Sequence, residues 1–262
     1  MEYREYSPSP ALQPFVQCYW AGTPQSRGGD QNGVHRVVPD GCIDILVRFD
    51  ASTAEGAKPS RPRFADRVLV VGTMSRPLIV SEADSTCFLG VRFKPGKAIG
   101  FLGVSAGELT DQSIALGDVW TRDGNRLESR LADLRGIGPR LALVEAALLE
   151  RLDRKRAEDP YLEALVDLIL RRQGSVSIAA LSKFAGLSRQ HVARKFDRYI
   201  GINPKLFCRV VRFQSLLEAI RLARGVDWAA AALELGYYDQ AHMILEFKEF
   251  SGLTPATFST TE

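Results

Sequence analysis

The sequence predicts an α+β protein: a β-rich amino-terminal domain carrying a helical hairpin, then an all-α domain of two helix-turn-helix units joined by a long helix. Three observations predict this. Short β-branched runs separated by turn residues fill the first 120 residues. From about residue 125 the apolar spacing changes to the helical period. A stretch near the carboxy terminus then occurs twice, with one apolar pattern kept and the polar positions changed.

In the β-rich part, HRVVPDGCIDILVRF gives two short runs around Pro39-Asp40-Gly41, DRVLVVG and RPLIVS give two more, and TCFLGVRFK ends at Pro95-Gly96. Several short strands at close spacing predict a small barrel or sandwich. NRLESRLADLR then stops at Gly136-Ile137-Gly138-Pro139, and RLALVEAALLERLDRKRA follows with helical spacing, so the two form a hairpin that packs on the sheet or pairs with a second copy. The charged stretch DRKRAEDP, residues 153–160, is the expected linker between a domain over 1–152 and a domain over 161–262.

Beyond Pro160 the pattern is helical throughout. YLEALVDLILRR and SIAALSKFA precede a turn at Gly186, after which Ser188 is placed to cap SRQHVARKFDRYI. PKLFCRVVRFQSLLEAIRLA is the long connecting helix. DWAAAALELGYYDQAHMILEFKEF then repeats the arrangement, with Gly236 at the turn and Asp239 at the cap. SRQHVARKFDRYIGINP and DQAHMILEFKEFSGLTP lie 51 residues apart and overlay without a gap, pairing His191 with His242, Phe196 with Phe247, Gly201 with Gly252 and Pro204 with Pro255. The shared apolar positions, Val192 with Met243 and Ile202 with Leu253 among them, are the cores of two copies of one unit.

The net charge of +3 is unevenly divided. Residues 171–262 carry 13 Lys/Arg against 8 Asp/Glu, and residues 186–212 carry seven basic residues against Asp197 alone. A basic segment of that kind fits phosphate contacts as well as a solvated face. The four cysteines show no C-x-x-C pair, so neither a disulfide framework nor a zinc knuckle is expected. His35 is the only histidine of the amino-terminal part, which leaves no ligand set for a metal and no motif for nucleophilic catalysis. No signal-peptide layout and no apolar run long enough to span a bilayer stand in the sequence, so a cytoplasmic location without membrane association is expected.

The carboxy-terminal stretch resembles the DNA-binding domain of the AraC/XylS family of bacterial transcription regulators. The order of elements, the turns at Gly186 and Gly236, GINP and GLTP after the two recognition helices, and LGYYDQAHMILEFKEFSGLTPATF carry the resemblance. It implies that both units enter successive major-groove segments of one double-stranded DNA. VVPDGCIDILVRF and LGVRFKPGKAIGFLGVSAGELTD are similar to a cupin-like domain found on some of these regulators, which gives the β-rich part the form of a cupin-like barrel. The expected protein is a transcription regulator, an activator or repressor without enzymatic activity or cofactor. A small-molecule effector, RNA polymerase and a second copy of the chain are its expected partners.

Gln190 and Arg194 lie four apart on the first recognition helix, away from Val192 and Phe196, and suit adenine and guanine respectively. On the second helix the matching positions are Gln240, Ala241, Ile244 and Leu245. Ser188, Arg189, Lys195, Arg198, Lys205 and His242 are the expected phosphate contacts. Residues 227–262 hold one basic residue, Lys248, against six acids, so the second unit is electrostatically poor for DNA; it reads thymine methyls, binds weakly, or braces the first unit and meets RNA polymerase. Pro39-Asp40-Gly41 is a turn, or else Asp40 and Asp44 line an effector pocket with Arg36 and Arg92, its aromatic walls coming from Tyr19, Trp20, Phe49 or Phe93. A different class of protein fits the same residues: an alkylation-repair protein whose cysteine, Cys18, Cys42 or Cys87, accepts an alkyl group delivered by the DNA-binding domain.

Overall fold

The computed structural model describes residues 2–23, 34–50, 67–81, 86–152, 159–222 and 228–261. Among the described residues eight strands come first: β1 (Glu2–Tyr6), β2 (Val16–Thr23), β3 (Val34–Val37), β4 (Asp44–Asp50), β5 (Arg67–Val71), β6 (Leu78–Ser81), β7 (Thr86–Phe93) and β8 (Ser113–Ala115). Six of them form an antiparallel sheet in the order β1-β2-β7-β4-β5-β8, and β3 pairs with β6 in a separate ribbon. The alternation of side chains decides which face is covered. Tyr19, Ala21, Ile45, Val47, Phe49, Val68, Val70, Leu89, Val91 and Phe93 are buried on one face.

That face meets the helices α1 (Ile99–Leu102), α2 (Leu116–Trp120), α3 (Arg122–Ala132) and α4 (Ile137–Leu152). Trp120, Leu127, Leu131, Val144 and Leu148 complete one core with the strands, so the expected helical hairpin, α3 with α4, packs on the sheet. A short 3₁₀ turn, Ala106–Glu108, sits between α1 and β8.

The helical part consists of α5 (Pro160–Arg171), α6 (Ile178–Ala185), α7 (Arg189–Tyr199), the long α8 (Pro204–Leu222), α9 (Trp228–Glu234), α10 (Gln240–Ser251) and α11 (Pro255–Thr261). Val192, Phe196, Ile202, Met243 and Phe247, the apolar positions shared by the repeat, are buried in a second core together with Phe207, Phe213 and Phe250. Residues 153–158 of the expected linker lie outside the described residues. Asp159 and Pro160 open α5, the Asp159 side chain accepting from the backbone N–H groups of Tyr161 and Leu162.

Candidate nucleic-acid interface

Each recognition helix is set by local chemistry. α6 ends at Gly186 in the left-handed conformation at φ 63°, and Ser188 starts α7 by accepting from the His191 N–H at 3.2 Å. In the second unit the chain turns at Gly236, and Asp239 starts α10 by accepting from the His242 N–H at 2.7 Å. The caps fall at equivalent positions of the repeat, so both helices begin at the same point relative to their cores.

Arg189, Gln190, Arg194 and Arg198 are exposed along α7, while Val192 and Phe196 point inward. Lys205 is exposed at the start of α8. Lys195 is placed otherwise: its ammonium group pairs with Asp159, half-buried at the start of α5. Burial alone would raise the Asp159 carboxyl, but Lys195 and the amides of Leu162 and Tyr161 hold it below its ordinary value. The Ser188 hydroxyl is engaged in capping, and the His242 ring accepts from the Tyr238 N–H at 3.4 Å and stands edge-on to Tyr237.

On α10, Gln240, Ala241 and Leu245 are exposed, whereas Ile244 is half-buried against the core. Two further cations of the basic segment are neutralised inside the domain. Arg209 donates to Glu246 at 2.7 Å and to Glu249 at 2.5 Å, and Arg212 donates to Glu246 at 3.2 Å. Glu246 is only 3 % exposed, so this cluster joins α8 to α10 through a buried carboxylate held by two guanidinium groups. Glu246 and Glu249 occupy the positions that Lys195 and Arg198 hold in α7. That reversal of sign in the overlay of the two repeats is the sequence feature that matches the two arginines of the connecting helix.

The expected effector residues are brought together in part. Arg92 on β7 lies between Asp40 and Asp44, at 3.2 Å from each, and the indole N–H of Trp20 donates to Asp44 at 3.1 Å. This cluster belongs to the sheet face opposite the core. Trp20 lies flat over Gly90, where a Cβ would stand 2.1 Å from the indole, and Tyr3 stacks beside it. Burial pushes the Asp44 carboxyl up to about 6 although Arg92 pulls it down, and the two carboxylates in turn raise Arg92. Asp40 also accepts from the Cys42 N–H at 2.9 Å, so the Pro39-Asp40-Gly41 segment is a turn and a contributor to the cluster at once.

Arg36 is elsewhere. Its guanidinium donates to the Ser251 carbonyl at 2.6 Å, at the carboxy end of α10. The end of α7 is held in a comparable way: Thr73 donates to the Ile200 carbonyl at 2.5 Å, Thr110 to the Gly201 carbonyl at 2.6 Å, and Ser105 to the Arg198 carbonyl at 3.4 Å. These carbonyls are the ones a helix end leaves without intrahelical partners. Gln214 on α8 donates to the Pro39 carbonyl at 2.5 Å, and Gly41 lies so close to Phe207 that a Cβ would approach the ring to 2.6 Å. The amino-terminal part thus grips both recognition helices by their carboxy ends and leaves their amino-terminal residues exposed. None of these contacts has a local sequence signal.

A cleft of about 890 Å³ runs between residues 95–108, α5 and α7, with Arg194 and Arg198 on its wall. Its acids are engaged, Glu163 with Lys97 at 3.0 Å, Asp159 with Lys195, and Glu108 with the Ser105 N–H. It is separate from the Asp40–Arg92–Asp44 cluster. Among the described residues no His/Cys/Asp/Glu group has the makings of a metal site, and no helix is long and apolar enough to cross a membrane.

Residues 4–115 match a domain family described as a domain of unknown function (DUF6597), and residues 181–261 match a helix-turn-helix domain family. A protein of Haemophilus influenzae described as an uncharacterized HTH-type transcriptional regulator is 31 % identical over 116 residues, which is 44 % of this chain and 37 % of that one. The chain therefore spans well under half the length of that relative. Among solved structures, ToxT from Vibrio cholerae aligns over 93 % of this chain and 98 % of its own at 11 % identity and a TM-score of 0.46. The C-terminal domain of AraT, a response regulator from Geobacillus stearothermophilus, aligns over 40 % of this chain and 87 % of its own at 19 % identity and a TM-score of 0.37. With its two capped recognition helices on one connecting helix and the family match over residues 181–261, the carboxy-terminal part of this chain is a helix-turn-helix domain.

Proposed function

We propose that the protein is a sequence-specific DNA-binding transcription regulator whose amino-terminal domain governs how its two recognition helices are presented. The observation that carries this reading is the exposed face of α7, where Gln190 and Arg194 stand between Arg189, Arg198 and Lys205 while the apolar residues point inward. Arg194 takes guanine O6 and N7, Gln190 takes adenine, and the other cations take phosphates. Ser188 and His242, at the starts of α7 and α10, are placed to add contacts at the backbone.

Regulation follows from the grip on the helix ends. An effector seated on the sheet face near Trp20 would exchange contacts with Asp40, Asp44 and Arg92, and the Asp40 turn leads through Pro39 and Gly41 to Gln214 and Phe207 on α8. A small molecule favouring one arrangement of that turn shifts the population of helix placements by its differential affinity. A second copy, docking through the outer side of the α3–α4 hairpin, would place another DNA-binding domain at a neighbouring site and raise its effective concentration. RNA polymerase is the partner through which an activator of this kind acts, and the cytoplasm is where it would do so.

The alkyl-acceptor alternative needs an accessible thiolate. All four cysteines are buried. Burial pushes Cys18, Cys87 and Cys208 up to about 11 and Cys42 well above its ordinary value, which favours the regulator reading. The direct test is selection of duplexes from a random-sequence pool by the full chain, followed by binding measured over a range of salt. Enrichment of a defined sequence with salt-sensitive affinity supports the proposal, and absence of any enriched sequence contradicts it.

A further inference from the structure

Overlaying α10 on α7 at the 51-residue repeat pairs Arg189 with Gln240, Gln190 with Ala241, Arg194 with Leu245, Lys195 with Glu246 and Arg198 with Glu249. Every cationic position of the first helix is neutral or acidic in the second. Free carboxylates at those places would repel a phosphodiester backbone. They are not free, because Arg209 and Arg212 hold Glu246, and Arg209 holds Glu249. Both acids at those places are thus neutralised from α8.

Of the residues that α10 leaves in solvent, Ala241 and Leu245 stand at the positions of Gln190 and Arg194 in the first unit, and both are apolar. Leu245 is 68 % exposed and Tyr238, just ahead of the Asp239 cap, is 88 % exposed. Ala241 lies one helical turn from Leu245 on the same face and is exposed as well. Met243, Phe247 and Phe250 fill the core from the opposite side of the helix, so Leu245 is not needed there. Ile244, half-buried against that core, backs this face rather than belonging to it.

We infer that Tyr238, Ala241 and Leu245 form a docking surface for thymine in the major groove. The inference rests on the reading of the domain as DNA-binding, and it gives the second unit a chemistry of its own. In the major groove the apolar feature presented by a base edge is the C5 methyl of thymine, and short aliphatic side chains recognise it by contact. A helix presented like α7, with its acids neutralised from behind and alkyl groups in place of Arg and Gln, selects that methyl without hydrogen bonds. The first unit then reads guanine and adenine through polar side chains, and the second reads thymine through packing.

The test uses the full chain and duplexes that it enriches from a random-sequence pool. Each thymine of the enriched sequence is replaced singly by deoxyuridine, which deletes the methyl and keeps every hydrogen-bonding group. The half-site of the first unit is identified by the base at which Arg194→Ala loses discrimination. In the other half-site, deletion of a contacted methyl should weaken binding about threefold to fivefold, the effect of unburying one carbon. Leu245→Ala should weaken binding to the unmodified duplex by a similar factor and lose its response to the deoxyuridine at one position. Leu245→Arg should move the preference there from thymine to guanine. Because Leu245 is exposed, these variants should keep the wild-type circular dichroism. An enriched duplex whose second half-site lacks thymine, or shows no response to any methyl deletion, overturns the inference while leaving the regulator reading intact. Failure to enrich any duplex overturns both.

Discussion

On the proposed function, Arg194 would carry base selection by the first unit and its neighbours grip. Arg194→Ala should cost roughly 1 to 3 kcal/mol at the selected sequence and much less on random DNA. Equal losses on both, measured by fluorescence anisotropy, would assign Arg194 to phosphate. Lys195 separates what sequence shows from what packing decides: by type and position it is a phosphate ligand, yet it is engaged by Asp159, 36 residues away. Lys195→Ala should therefore leave DNA affinity nearly unchanged and cost about 1 kcal/mol of stability, as for a well-ordered pair near the surface. Asp44 offers a separate check. Its carboxyl stands at about 6 when folded, against an ordinary value near 4, so between those pH values the folded state holds a proton that the unfolded chain has released. Stability from this group is therefore present at low pH and declines as pH rises from about 4 to about 6. The urea midpoint of Asp44→Asn should lack that decline, and parallel pH profiles for the two proteins would contradict it.

At the scale of elements, the parts legible in the sequence are those fixed by near neighbours. Ser188 and Asp239 as caps, the turns at Gly186 and Gly236, and the inward Val192, Phe196, Met243 and Phe247 all follow from helical period and capping chemistry, and the structure has them so. The strand runs around Pro39-Asp40-Gly41 became β3 and β4, and Asp40, Asp44, Arg92 and Trp20 meet because β2, β4 and β7 are neighbours in the sheet. Arg36, expected beside them, lies on the β3–β6 ribbon and reaches Ser251, 215 residues away. The caps on α7 were equally illegible, since a threonine on a loop gives no sign of which distant carbonyl it will satisfy. They carry weight nonetheless. Thr73→Val removes the partner of a buried carbonyl and should lower stability by about 1 to 3 kcal/mol. The same change at an exposed threonine such as Thr257 should lower it far less, and equal melting temperatures for the two variants would show that the brace on α7 is not formed.

For the whole molecule, charge read along the chain and charge read in space give different accounts of the first unit. The segment 186–212 has seven basic residues, but Lys195, Arg209 and Arg212 are committed to Asp159, Glu246 and Glu249. Arg189, Arg194, Arg198 and Lys205 remain on the exposed surface. The amino-terminal domain holds both recognition helices by their carboxy ends, so the exposed face is strongly cationic at α7, while α10 exposes Ala241 and Leu245 at the positions of Gln190 and Arg194. Counterion release should come almost wholly from the first unit. The most direct test is the slope of log K against log salt for the full chain on its selected duplex. Replacing Arg189 and Lys205 by Ala together should flatten that slope by about 2, at roughly 0.9 per phosphate contact, whereas Lys195→Ala and Lys248→Ala should each change it by less than about 0.5. An unchanged slope in the Arg189, Lys205 double variant, or a loss of similar size from Lys248→Ala, would contradict the assignment of DNA grip to the exposed cations of the first unit.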